Sequence, residues 1–168
     1  MASNQLKSLP INEFVEQTAM NKALNVAKQM DCDDYDFIIG CDTVVFHEGK
    51  IIGKPKDKAD AEQTLLRLNN STHEVYSGVA MINGEQECEV FHVRTLVKFC
   101  QIPAEVISRY VQSGEPMGRA GSYGIQGKGA IFIEKIDGCF YNVAGLPINE
   151  IAHRLWKREK KLPITTVQ

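Results

Sequence analysis

The sequence predicts an α/β (mixed α+β) sandwich, a mixed twisted sheet with helices packed on it. Three observations carry that expectation. Near the start, Ile11, Val15, Ala19, Ala23, Val26 and Met30 recur at helical spacing on one face. Further on, Phe91, Val93, Thr95, Val97 and Phe99 alternate along the chain, the period of a strand with one buried face. Helix-like and strand-like segments then take turns along the chain: helix, hairpin, helix, long hairpin, helix, glycine loop, hairpin, helix.

Taken in order, residues 12–30 form the first helix, with Lys22 next to its apolar face. Residues 36–46 form a strand, and His47-Glu48-Gly49-Lys50 turns it into a short return strand over 50–52. Gly53 and Pro55 bracket Lys54, and the proline keeps Lys54 extended and outside the next helix. Asp57 caps that helix and Asp60 adds a carboxylate favoured by its dipole; Ala61, Leu65 and Leu68 point inward. Two long strands, 73–82 and 85–99, meet through Asn83-Gly84, a type I′ hairpin pair. Pro103 opens a helix over 104–112 whose inner face is Val106, Ile107, Tyr110 and Val111. Residues 113–129 are a glycine-rich loop. A strand over 130–136 then turns at Asp137-Gly138 into a return strand over 139–143. The last helix covers 148–160 with Ile151, Ala152, Leu155 and Trp156 inward, and the tail, 162–168, is expected to be loose.

A length of 168 residues suits a single domain, and a net charge of −2 offers no broad basic face for nucleic acid. The five cysteines (Cys32, Cys41, Cys88, Cys100, Cys139) lie far apart, odd in number and without a Cys-x-x-Cys pair. That pattern favours reduced thiols and a cytoplasmic setting, and gives no zinc-ligand spacing. No apolar run approaches the ~20 residues of a membrane span, and the first residues lack the apolar core of a signal peptide.

Chemistry concentrates in residues 36–56. Asp42 lies in the middle of an apolar run, where an ionised carboxylate is costly unless paired, bonded or metal-bound. Such a carboxylate can hold a divalent ion or take a proton from water, and Lys54 and Lys22 can neutralise polyphosphate oxygens. The plain alternatives are a hydrogen-bonded aspartate at a strand bulge and two surface lysines. Gly40 and Thr43 beside Asp42 favour the functional reading. The glycine loop is not a Walker loop, because Ser122 stands where the first glycine is needed and Gly129 where Ser or Thr is needed. It precedes a strand, which excludes the dinucleotide fingerprint. Within it, Tyr123 and Gln126 supply an aromatic face and a two-way amide, a set able to stack on a base and read its edge. Ser122 lies outside a Gly-x-Ser-x-Gly elbow, Cys41 lacks a positioned base, and His73 reads as a packing residue.

Several pieces together resemble the Maf family of nucleoside triphosphate pyrophosphatases. They are Phe14-Val15 with Ala19 and Lys22-Ala23; Gly40-Cys41-Asp42-Thr43-Val44-Val45; Gly53-Lys54-Pro55; Thr72-His73-Glu74-Val75 with Ser77-Gly78-Val79; Ala120-Gly121-Ser122-Tyr123-Gly124-Ile125-Gln126-Gly127; and Asn142-Val143-Ala144-Gly145-Leu146-Pro147. The resemblance implies a fold like that of the inosine triphosphatases. It also implies hydrolysis of a nucleoside triphosphate between the α- and β-phosphates, with Mg²⁺ or Mn²⁺ as cofactor. By the same resemblance Asp42 is the base or metal-assisting carboxylate, Lys54 and Lys22 are catalytic lysines, and Thr43 and Gln126 fall where substrate selection is assigned. The loop resembles the branch acting on dTTP and UTP, with modified pyrimidines as further substrates, more than the branch acting on 7-methyl-GTP.

The family resemblance also implies a first strand and a Ser-x-Ser-Pro-Arg-Arg phosphate clamp ahead of the first matching helix. Residues 1–10 match neither, so the expectation is a sheet short of one core strand, an impaired clamp and open edges suited to association, with a homodimer as the candidate assembly. A catalytically inactive nucleotide-binding or interaction module is the competing reading, and a purine-directed inosine triphosphate pyrophosphatase is the third.

Overall fold

A strand sorts its side chains by parity, so the register of this sheet decides which residues can meet. The structure is a computed structural model and describes residues 9–159. Its elements in order are α1 (Ile11–Ala27), β1 (Phe37–His47), β2 (Lys50–Ile52), α2 (Lys58–Leu68), β3 (Thr72–Asn83), β4 (Cys88–Phe99), α3 (Ala104–Gln112), β5 (Ile133–Asp137), α4 (Phe140–Ala144) and α5 (Ile148–Glu159). The strands form one sheet in the order β2-β1-β3-β4-β5, and every pairing is antiparallel. β2 pairs with β1 only from Val45 to His47. Among the described residues, positions 37–44 therefore have no strand neighbour on their outer edge.

Thr43 pairs with Ser77, and Ser77 with Val93, so odd-numbered residues of β1, β3 and β4 share one face. The even face receives α1, where Ala19, Ala23 and Ala27 pack on Ile38, Ala80 and Ile82. The odd face is covered in three parts. At one end Ile151 of α5 joins Val79, Met81 and Phe91. At the other, Leu65 and Leu68 of α2 and Ile107 and Val111 of α3 pack on Val75, Val97 and Phe99. Between them lies α4, tied down by Asn142, whose amide donates to the Val75 carbonyl at 3.1 Å and to Thr95 Oγ1 at 3.0 Å.

Local signals placed most elements well. Asp57 caps α2 by accepting from the Asp60 N–H at 2.8 Å, and Ala61, Leu65 and Leu68 are fully buried. Other expectations are corrected. Val26 and Met30 are exposed, because the contact follows the i, i+4 row Val15–Ala19–Ala23–Ala27 and leaves Val26 off it; Met30 lies beyond the helix end. The β3–β4 connection is not a two-residue Asn-Gly turn. Asn83 and Glu87 close a three-residue loop by an N–H···O bond of 3.1 Å, and Gln86 takes the left-handed position at φ 65°. Residues 128–132 are a 3₁₀ turn, so β5 begins at Ile133.

The return strand over 139–143 is instead the short helix α4. Its residues favour a strand locally, but Cys139 is anchored to Thr95 and Asn142 must reach inward over the sheet. Trp156 is 54% exposed. Arg154 and Arg158 lie over the rings of Phe91 and Phe37 in the place expected for it, at 3.8 and 5.5 Å from the centroids. The expectations for residues 1–8, Lys160 and 162–168 lie outside the described residues.

Candidate active site

Asp42 sits on the even face with Gly78 as its cross-strand partner. Because Gly78 has no side chain, α1 rests its backbone directly on the sheet: a Cβ there would overlap the Val15 carbonyl and lie 2.6 Å from the Glu16 nitrogen. Gly40 does the same one step along, where a Cβ would lie 2.9 Å from Ala23 Cβ. This close approach brings Lys22 to Asp42. Lys22 Nζ donates to Asp42 Oδ1 at 2.6 Å and to the Cys41 carbonyl at 3.0 Å. The Asp42 side chain is 19% exposed, shielded but open to one side.

On the odd face Thr43 Oγ1 lies 2.7 Å from Ser77 Oγ and donates to the Gly145 carbonyl at 3.3 Å. Cys41 Sγ donates to the same carbonyl at 3.1 Å, and burial above all pushes its thiol up to about 11. Cys41 is thus a packed thiol and no nucleophile at neutral pH. Gly145 (φ 114°) closes α4 in a left-handed turn, with Leu146 N–H on the Tyr141 carbonyl at 2.9 Å and its own N–H on the Asn142 carbonyl at 3.0 Å. That turn aims one carbonyl at two β1 side chains.

The glycine loop makes the facing wall. Gly121 (φ 68°) donates to the Gly53 carbonyl at 3.1 Å and leaves no room for a side chain beside Val45. This seats the loop against the turn from which Lys54 emerges. Farther along, the Glu115 carboxylate accepts from Tyr110 Oη and Gly129 N–H, both at 3.1 Å, and from Lys128 N–H at 3.0 Å. Tyr110 Oη in turn accepts from Gly124 N–H at 3.1 Å. Burial pulls the Glu115 carboxyl up, but these bonds outweigh it and hold it below the usual carboxylate range. Tyr123 is 6% exposed. Its hydroxyl lies 2.8 Å from His73 Nε2, and its ring meets Phe99 edge-on at 4.8 Å. Burial first, then the nearby His47, draws His73 down to about 3, so it is neutral at neutral pH.

Asp42, Lys22, Lys54, Thr43, Tyr123 and Gln126, the six residues singled out in the sequence, all line one cleft of about 330 Å³. Gln126 is exposed on its wall, whereas Tyr123 contributes a packed floor. The sequence reading missed Arg119, which also lines the cleft, and Glu115, which ties the loop. Their only signals were a lone guanidinium and a lone carboxylate among glycines. Lys22, Lys54 and Arg119 face one lining carboxylate, Asp42, a balance suited to a polyanion. A larger groove of about 890 Å³, between the β3–β4 turn and α5, contains none of the six.

Among the described residues, no group of three or more His, Cys, Asp or Glu side chains could hold a metal ion. With Asp42 as the one lining carboxylate, a cation bound here would have to take most of its oxygen ligands from a bound molecule or from water. Among the described residues no helix is long and apolar enough to cross a membrane.

A sequence profile of the Maf-like protein family matches residues 2–158. A protein named dTTP/UTP pyrophosphatase from Clostridium botulinum (strain Kyoto / Type A2) is 45% identical over 142 residues, 84% of this chain and 73% of that protein. One of the same name from Clostridium perfringens (strain SM101 / Type A) is 43% identical over 142 residues, with the same coverage. A solved structure of a nucleoside-triphosphatase / dITP/XTP pyrophosphatase from Mycobacterium abscessus overlays with a TM-score of 0.39 at 16% identity, covering 89% of this chain and 74% of that one.

Proposed function

As the chain belongs to the Maf family, we propose that it is a nucleoside triphosphate pyrophosphatase acting on dTTP and UTP. The names of its relatives support the substrate class. The observation that carries the chemistry is the Lys22–Asp42 contact of 2.6 Å inside a cleft that also receives Lys54.

In this reading Lys22 orients the Asp42 carboxylate, which accepts a proton from the attacking water. The water oxygen bonds to the α-phosphorus while the bridging oxygen leaves with pyrophosphate. Lys54 lies on the leaving side and meets the charge that develops there. A divalent cation, Mg²⁺ or Mn²⁺, would be held by Asp42 and the phosphates, and when bound it neutralises phosphate oxygens. Gln126 pairs its amide with the N3–H and carbonyl edge that thymine and uracil share, which accounts for acceptance of both bases. Thr43 borders the sugar end of the cleft and Tyr123 floors it.

The test is pyrophosphate release from dTTP and UTP with Mn²⁺ present. Asp42→Asn should lower turnover by about 10²- to 10⁴-fold with the fold intact. Equal release by parent and variant would remove Asp42 from the chemistry. Tight dTTP binding by the parent with no release would mark a nucleotide-binding module instead.

A further inference from the structure

We propose that Arg119 is a further polyphosphate-binding residue of the cleft, admitted to it by the missing side chain of Gly124. The proposal rests on the triphosphate reading above and adds to it the residue that grips the phosphate tail.

Arg119 is held at its backbone. Its N–H donates to the Pro116 carbonyl at 3.2 Å and its carbonyl accepts from Ser122 N–H at 3.1 Å. Nε donates to the Glu115 carbonyl at 3.0 Å, which ties down one edge of the guanidinium and leaves the Nη donors for other partners. The fork lies against Gly124: a Cβ there would stand 2.6 Å from Nη1, 2.7 Å from Cζ and 3.0 Å from Nε. Any side chain at position 124 would therefore displace the fork. Both residues line the cleft.

The charges give this placement a purpose. Lys22 is matched by Asp42. Among the described residues neither Lys54 nor Arg119 forms an ion pair. Two cations without an ion-pair partner on one small cleft favour an anion that carries more than one charge. A planar fork with paired donors suits phosphate oxygens better than a point ammonium does.

The experiment measures binding of inorganic pyrophosphate by calorimetry, with no nucleotide and no metal, to the full chain. The parent should bind, and Arg119→Ala should weaken binding about tenfold or more, the cost of losing charge-assisted bonds. Arg119→Lys should recover part of that loss. Gly124→Ala, which leaves every charge in place, should weaken binding to a similar degree. Thermal melting checks that each variant is folded. Parent-like binding by Arg119→Ala, or failure of the parent to bind pyrophosphate, overturns the proposal. A parent that binds pyrophosphate through Arg119 yet hydrolyses neither dTTP nor UTP sinks the catalytic reading and leaves this one standing.

Discussion

The wall of the cleft that carries Asp42 and the wall that carries Gln126 face each other, but different forces hold them. On the first, a helix rests its main chain on the sheet at Gly40 and Gly78, and the Lys22–Asp42 pair follows from that contact. On the second, a loop with little regular structure seats Tyr123 in the core, and its outer turns are tied by one carboxylate, Glu115, and one phenol, Tyr110. The first wall is part of the fold's stability, so damage there should unfold the protein. The Glu115 ties of the second are attached to the fold, so damage to them should loosen the site and leave the fold standing.

The largest effect should come from Gly78→Ala. The added methyl meets backbone with no flexible atom to move, so urea denaturation should show a loss of ~3 kcal/mol or more. A loss under ~1 kcal/mol would mean that α1 can lift without cost, and the contrast between the walls would fail. Next comes His73, buried behind the loop wall. Its folded value of about 3 lies below the ordinary 6.5, so the unfolded chain takes up a proton that the folded one refuses. Stability is therefore full above pH 6.5 and falls as the pH drops toward 3, with a slope approaching ~1.4 kcal/mol per pH unit. His73→Gln should flatten that part of the profile; identical slopes in the two proteins would locate the proton uptake elsewhere.

The smallest effect on the fold should come from Glu115→Ala, with a melting temperature within a few degrees of the parent and a KM for dTTP raised by roughly tenfold, the value of one or two lost bonds to a charged group. Acid should mimic it. The Glu115 carboxyl is held below its unfolded value, so its ties are complete above the ordinary carboxylate range and are lost as the pH falls through the folded value. A melting temperature that falls as far as that of Gly78→Ala would erase the distinction.

Much of this was legible along the chain. Asp57, the α2 face and the alternation in β4 are local signals, and local structure obeyed them. Asp42 was legible because a carboxylate in an apolar run needs a reason. What escaped depended on distant partners. Residues 139–143 look like a strand until Asn142 is seen reaching β3 and β4, and Trp156 looks inward until two arginines occupy its place. Asn83-Gly84 signalled the hairpin correctly and its loop length wrongly, since the left-handed residue proved to be Gln86. Arg119 could not be read at all, because its position depends on an empty space at Gly124 that only the folded loop defines.

The seat of α1 on two glycines has one more consequence. Interiors usually accommodate change by side chains hopping between rotamers, and at this seat no such layer exists. The helix is a fixed post, and the ammonium of Lys22 moves only by swinging on its own four-carbon arm. An arriving phosphate tail would therefore meet an amine already set against Asp42, on a frame that stays still.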